Sequence, residues 1–157
     1  MGMNHAGEIR PLSKMARPHV AIITTVADVH RAFFKSTDDI ALAKAEIFEG
    51  VEPGGTLVLN RDTPTYTLLR DEAQKIKSHK VLTFGSHIEA DIRLQTITMN
   101  QESCIVHAVI QGKPITYKLN TTAQHLAFNS LTVLAAVLAL GGDIDKAAKA
   151  LIDFTPL

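Results

Sequence analysis

Hydrophobic positions along the chain switch between two periods, and the switching predicts an order of elements. Val20 to Val26 (VAIITTV) is a continuous, largely β-branched run after Pro18, the pattern of a strand covered on both faces, as in parallel sheets. Ser36 to Asp39 then offer N-cap side chains, and Ile40, Ala43, Ile47 and Phe48 share one helical stripe that stops before Pro53-Gly54-Gly55. Thr56 to Asn60 (TLVLN) reads as a second strand, Tyr66 to Ser78 as a second helix and Lys80 to Phe84 (KVLTF) as a third strand. This β-α-β-α-β order predicts an α/β fold built on a mostly parallel, doubly wound sheet.

The period then changes. Asp91 to Met99, Cys104 to Ile110 and Ile115 to Leu119 are strand-like runs joined by Asn100-Gln101-Glu102 and Gln111-Gly112-Lys113-Pro114. Connections this short make hairpins, so a small antiparallel meander is expected beside the parallel strands. Thr121 or Thr122 then caps a long helix rich in alanine and leucine, Gly141-Gly142 ends it, and Asp143 caps a last helix through about Phe154. The segment from Ala123 to Leu140 is apolar, but Gln124, His125, Asn129, Ser130 and Thr132 interrupt it, so it reads as a buried helix and not as a membrane span.

Composition narrows the picture. A chain of 157 residues is long enough for one compact unit with its own core. Sixteen basic and sixteen acidic residues cancel. No overall field therefore recruits nucleic acid or an anionic membrane, and an anionic ligand must be held locally. The single cysteine, Cys104, lies in a predicted strand and reads as a buried thiol in a reducing compartment. MGMNHAGEIR lacks the apolar stretch of a secretory signal and Ala6 breaks the myristoylation pattern, so a cytoplasmic location is expected.

Most stock catalytic motifs are absent: there is no HExxH, GxSxG or GxGxxG, and no paired CxxC. The only Gly-Lys pair, Gly112-Lys113, is followed by proline and lacks the upstream glycine of a phosphate-binding loop. Four local features remain. MNHAGEI at the start gathers Asn4, His5 and Glu8 around Gly7. His30 follows the first strand at its carboxyl end, where ligands of open α/β sheets gather. Lys44 sits on or beside the apolar stripe, either snorkelling to water or serving as a modified or metal-associated lysine. His125 and Asn129, spaced i and i+4 on the long helix, point the same way as a satisfied core pair or as a base-recognition pair.

In order, MGMNHAGEI, the strand ending in HRAFF, AKAEIFEG, LVLNRD and HLAFNSLTVLAA resemble the central domain of the Mur ligases, and the likeness covers nearly the whole chain. MNHAGEI is similar to the branch that adds D-alanyl-D-alanine to UDP-N-acetylmuramoyl-tripeptide, and FTP at Phe154 to Pro156 resembles the family's boundary before its C-terminal domain. The resemblance implies a reaction. ATP phosphorylates the tripeptide carboxylate, the dipeptide amine attacks the acyl phosphate through a tetrahedral intermediate, and phosphate leaves, with Mg2+ and a cationic clamp offsetting the negative charge. It also implies roles. Lys44 matches the lysine that carbon dioxide converts to a metal-associated carbamate, and His30 the magnesium-binding histidine. Asn129, with His125 beside it, matches the adenine-side helix, and Asn4, His5 and Glu8 the segment facing phosphates and substrate.

Departures are equally specific. Arg31-Ala32 stand where the family continues its metal histidine with Leu-Glu, and Leu126 where its adenine motif often has asparagine. In the family the metal-binding glutamate precedes the position of Met1, and the phosphate loop lies further upstream. The expectation is therefore a partial central domain, without the phosphate-loop half, the N-terminal UDP-sugar domain and the C-terminal domain, and inactive by itself. Two rivals stand beside it. One is a non-catalytic module that binds itself or a partner through the face where the phosphate-loop half would sit. The other is a Mur-type ligase with another acceptor, as in folate polyglutamylation.

Overall fold

The computed structural model describes residues 1–27, 33–77 and 79–154. Contacts divide the chain into two compact units, Met1–Val81 and Leu82–Leu157, where length alone predicts one. The α/β class is as expected.

The first unit runs from α1 (Ile9–Ala16) and β1 (Val20–Ile23) to α2 (Thr37–Ala45), which passes directly into a 3₁₀ segment (Glu46–Gly50). There follow β2 (Thr56–Asn60), α3 (Tyr66–Gln74) and the first residues of β3 (Lys80–Gly85). β1 and β2 are parallel, with Val20 opposite Thr56 and Ile23 opposite Leu59. Every residue of β2 is buried, as a strand covered on both faces requires. The strand expected to reach Val26 stops at Ile23, because Thr24 and Thr25 are exposed and β-branching alone does not extend a ladder without a partner. Ser36 caps α2 by accepting the Asp39 N–H at 3.1 Å, and Ile40, Ala43 and Phe48 are buried as the stripe predicts. The regular α-helix nevertheless ends at Ala45, three residues before Phe48, where the turn tightens to 3₁₀. The second helix likewise ends at Gln74 and does not reach Ser78, which lies outside the described residues.

Helix α1 was not predicted, and its docking explains the 3₁₀ segment's sequence. Ser13, fully buried, donates its hydroxyl to the Ile47 carbonyl at 2.5 Å. A Cβ on Gly50 would collide with the Ser13 backbone, so the two segments meet at a distance only glycine allows. Arg10 and Lys14 reach Glu49 at 2.8 and 3.3 Å. Exposed pairs of this kind contribute little; the Ser13–Gly50 approach sets the docking.

The second unit holds the rest of β3, then β4 (Ile92–Met99), β5 (Cys104–Ile110), β6 (Lys113–Leu119), α4 (Gln124–Ala139), α5 (Ile144–Ala150) and a short 3₁₀ turn (Leu151–Asp153). β4 pairs parallel with β3, Phe84 opposite Ile92, and antiparallel with β5, which pairs antiparallel with β6. The meander is thus as expected. Gln111 (φ 49°) and Gly112 (φ 82°) form its second corner with two left-handed residues, the backbone of a two-residue hairpin turn. The chain's Gly-Lys pair is therefore part of a hairpin corner. Cys104 is fully buried, and burial pushes its thiol pKa up.

Helix α4 presents Ala127, Leu131, Leu134 and Ala135 to the core, all fully buried, while Val133 is 46% and Leu140 68% exposed. The helix expected to be buried is buried on one side. Phe128 meets Phe84 with ring centroids 5.5 Å apart. Ser130 gives its proton to the Ala127 carbonyl at 2.6 Å, so the Tyr117 hydroxyl, 2.7 Å away, is the donor to Ser130 Oγ. Burial pushes this phenol up to about 12, against the opposing pull of Ser130. The expected threonine cap acts one step early: Thr121 accepts the Ala123 N–H at 3.1 Å, and Ala123 itself is the residue before the helix. Gly141 (φ 72°) ends α4, and Asp143 caps α5 by accepting the Lys146 N–H at 3.0 Å, both as predicted, but α5 ends at Ala150 and only a 3₁₀ turn continues towards Phe154. No helix among the described residues is long and apolar enough to cross a membrane.

The Ser13 contact yields a test. Gly50→Ala should destabilise the first unit by about 1–3 kcal/mol, the usual cost of overpacking, read as a lower urea midpoint with unchanged slope.

Candidate functional site

The residues that carry the resemblance begin in a turn that organises itself. Glu8 Oε2 accepts the Asn4 N–H at 2.7 Å and the His5 N–H at 3.2 Å, while Oε1 lies 3.1 Å from His5 Nδ1. One carboxylate closes the loop MNHAGE. These bonds hold the Glu8 carboxyl below the usual glutamate range, the Asn4 N–H contributing most, then His5. Asn4 and His5 remain exposed, and the His5 ring meets Phe33 edge-on at 4.7 Å between centroids.

A second carboxylate fastens this turn to the rest of the unit. Glu46, 9% exposed, accepts the Gly7 N–H at 2.6 Å through one oxygen and the Arg10 N–H at 3.2 Å through the other. Gly7 has φ 89°, a conformation open to glycine and strained for other residues. Between these segments lies an open cleft of about 730 Å³ whose lining includes His5, Phe33, Lys35, Asp39 and Leu42. His5 is the sequence-predicted site residue that lines it.

Lys44 lies on the last turn of α2, half-buried as the stripe predicts, and its ammonium makes no ion pair with a described residue. His30 lies outside the described residues. Among the described residues no three His, Cys, Asp or Glu side chains converge as a metal site, and an unmodified lysine offers no oxygen donor. The described side chains therefore do not by themselves fit the magnesium that the resemblance implies.

In the second unit, His125 and Asn129 are both exposed on one side of α4. A satisfied core pair is thereby excluded; both side chains are open to solvent or to a ligand.

Two contributors escaped the sequence reading. Glu46 stands between buried Ala45 and half-buried Ile47, so periodicity offered no reason to turn it inward. Asn60, at the carboxyl end of β2, donates to the Thr24 carbonyl at 2.8 Å and accepts the Asp62 N–H at 2.9 Å. It ties the segment leading from β1 towards position 30 to the end of the neighbouring strand. A polar amide closing the apolar run TLVL, just before the charged pair Arg61-Asp62, was the available signal.

Parallel strands, and a lysine-bearing helix whose end is joined through Glu46 to a histidine turn, define an α/β domain. The family model described as Mur ligase middle domain matches residues 1–137, and the chain belongs to that family. It is 29% identical over 153 residues to the UDP-N-acetylmuramoyl-tripeptide--D-alanyl-D-alanine ligase of Rickettsia prowazekii, across 98% of this chain and 34% of that relative. It is 34% identical over 139 residues to the UDP-N-acetylmuramate--L-alanine ligase of Streptomyces griseus, across 88% of this chain and 30% of that relative. A crystal structure of MurF from Acinetobacter baumannii matches with a TM-score of 0.90 and 27% identity, over 100% of this chain and 34% of that one. The chain thus spans about a third of the length of the curated relatives it matches.

The Glu8 turn is pH-sensitive in a stated direction. Its folded pKa is depressed, so its contribution is present above the unfolded glutamate value and fades as pH falls through the lower folded one. The Glu8 side-chain carboxyl carbon resonance should complete its titration only below the ordinary glutamate midpoint. A transition at or above that midpoint would contradict the geometry.

Proposed function

We propose that these 157 residues are part of the middle domain of the ATP- and magnesium-dependent ligase that joins D-alanyl-D-alanine to UDP-N-acetylmuramoyl-tripeptide in peptidoglycan synthesis. The observation that carries this reading is the junction, within one compact unit, of the MNHAGE turn with the helix end AKAEIF through Glu46. MNHAGEI is the segment whose resemblance points to this branch, AKAEIF being shared with several sister ligases, and the Rickettsia relative that joins the same dipeptide aligns over nearly the whole chain. In this reading Lys44 is the carbamate-forming residue, and His30 supplies a donor to magnesium. Asn129 and His125 border the adenine, while Asn4 and His5 face the phosphates and substrate, with Glu8 fixing their turn.

A second acceptor has its own support, since the L-alanine ligase of Streptomyces griseus is the more identical relative over a shorter stretch. Acceptor choice separates the two. A full-length ligase carrying these residues should release phosphate with the tripeptide substrate and D-alanyl-D-alanine. Turnover with UDP-N-acetylmuramate and L-alanine in its place would move the chain to the other branch. The 157 residues alone hold no phosphate-binding loop, since their Gly-Lys pair is part of a hairpin corner, and should show no ligase turnover.

Lys44 is tested chemically in the same full-length ligase. Lys44→Ala should lower turnover by orders of magnitude, with partial recovery in millimolar formate or acetate, whose carboxylates replace the lost carbamate. Normal turnover of the variant, or inactivity that short carboxylates leave unchanged, would remove the carbamate role.

A further inference from the structure

We infer that Glu46 is the positioning residue that fixes the Asn4–His5 turn against the helix end carrying Lys44, an inference that rests on the ligase reading above. Lys44 and Glu46 are two residues apart where α2 gives way to the 3₁₀ segment. At roughly 100° per residue their side chains leave the helix in nearly opposite directions. One side carries the lysine; the other carries a buried carboxylate aimed at the start of α1. Its two oxygens take two amides, Gly7 N–H at 2.6 Å and Arg10 N–H at 3.2 Å, across 39 and 36 residues of sequence. Both are charge-assisted bonds at a helix N-terminus, where backbone dipoles favour an anion.

A purely stabilising role would be redundant. α1 is already docked at its middle by the Ser13 hydroxyl on Ile47 and by the close approach to Gly50, and Arg10 and Lys14 reach Glu49. None of these contacts acts on the turn before the helix. Among the described residues, the Gly7–Glu46 bond is the one hydrogen bond that joins residues 4–7 to anything beyond their own turn. Glu8 shapes the turn, and Glu46 places it. The edge-on contact of His5 with Phe33 at 4.7 Å then follows from that placement.

The test uses the 157-residue chain and solution NMR. In the unsubstituted protein the Gly7 amide proton should lie downfield of the other glycine amides, and the His5 ring protons should carry a ring-current shift from Phe33. Glu46→Gln should lower amide-exchange protection at Gly7 and Arg10 roughly 10- to 100-fold, the loss of a hydrogen bond to a charged group, and abolish the His5 shift. Protection in β5 and β6 should stay as it was. Ser13→Ala, which weakens α1 docking elsewhere, should leave the His5 shift in place. An even loss of protection throughout the chain, or a His5 shift that survives Glu46→Gln, would overturn the inference. So would a Gly7 amide at an ordinary position in the unsubstituted chain, a readout that needs no variant to fold. None of these measurements requires ATP or turnover, so a failed ligase assay and a failed positioning test are separate results.

Discussion

A carboxylate withdrawn from water must be met by donors, or it costs several kcal/mol. At Glu46 the donors are backbone amides at the head of α1. The placement of the turn before α1 follows from that demand. The chain must return to the end of α2 with its amides exposed and unbonded, which the first turn of a helix supplies without loss of regular structure. Gly7 must take a left-handed conformation to aim its N–H, and the 3₁₀ segment must bring Ile47 and Gly50 under Ser13. Removing the carboxylate would leave those amides with nothing but solvent to satisfy them.

Much of the fold was legible because burial and period agree. β2 and β5 fall where TLVLN and CIVHAVI place them, each bounded by turn residues that cannot continue a strand. Errors cluster where one property masked another. Thr24, Thr25 and Val26 have strand-like side chains but no ladder, and the stripe through Phe48 continues across a change from α to 3₁₀ because both keep a residue facing inward every three or four positions. α1 was missed because it docks through a serine. Ile9 is buried beside Ser13 while the apolar Leu12 and Met15 are exposed, so the inward face is one apolar residue and a serine and does not read as a hydrophobic stripe. Pro11 in its first turn, with Glu8 just ahead, was the clue that remained.

The site was legible in a different way. Lys44 could be singled out because a charged group on an apolar stripe stands out, whereas His5 and Glu8 lie in a polar terminus and only family likeness marked them. Glu46 and Asn60 act through other residues. Their importance lies in which distant amide or carbonyl they meet, and sequence spacing is silent on contacts made across 36 residues or more. A side chain that orders another segment carries no local pattern of its own.

The one-sided α4 separates two kinds of change. Tyr117 and Ser130 anchor its inner face through a buried hydroxyl pair, where a substitution disturbs a hydrogen-bond chain as well as packing. His125 and Asn129 stand on the opposite, solvated surface, where most replacements alter stability by less than about 0.5 kcal/mol. Mutational drift there is nearly uncoupled from folding. Related chains can therefore change these two positions while keeping the same helix, so a constraint on them comes from what they contact and not from folding.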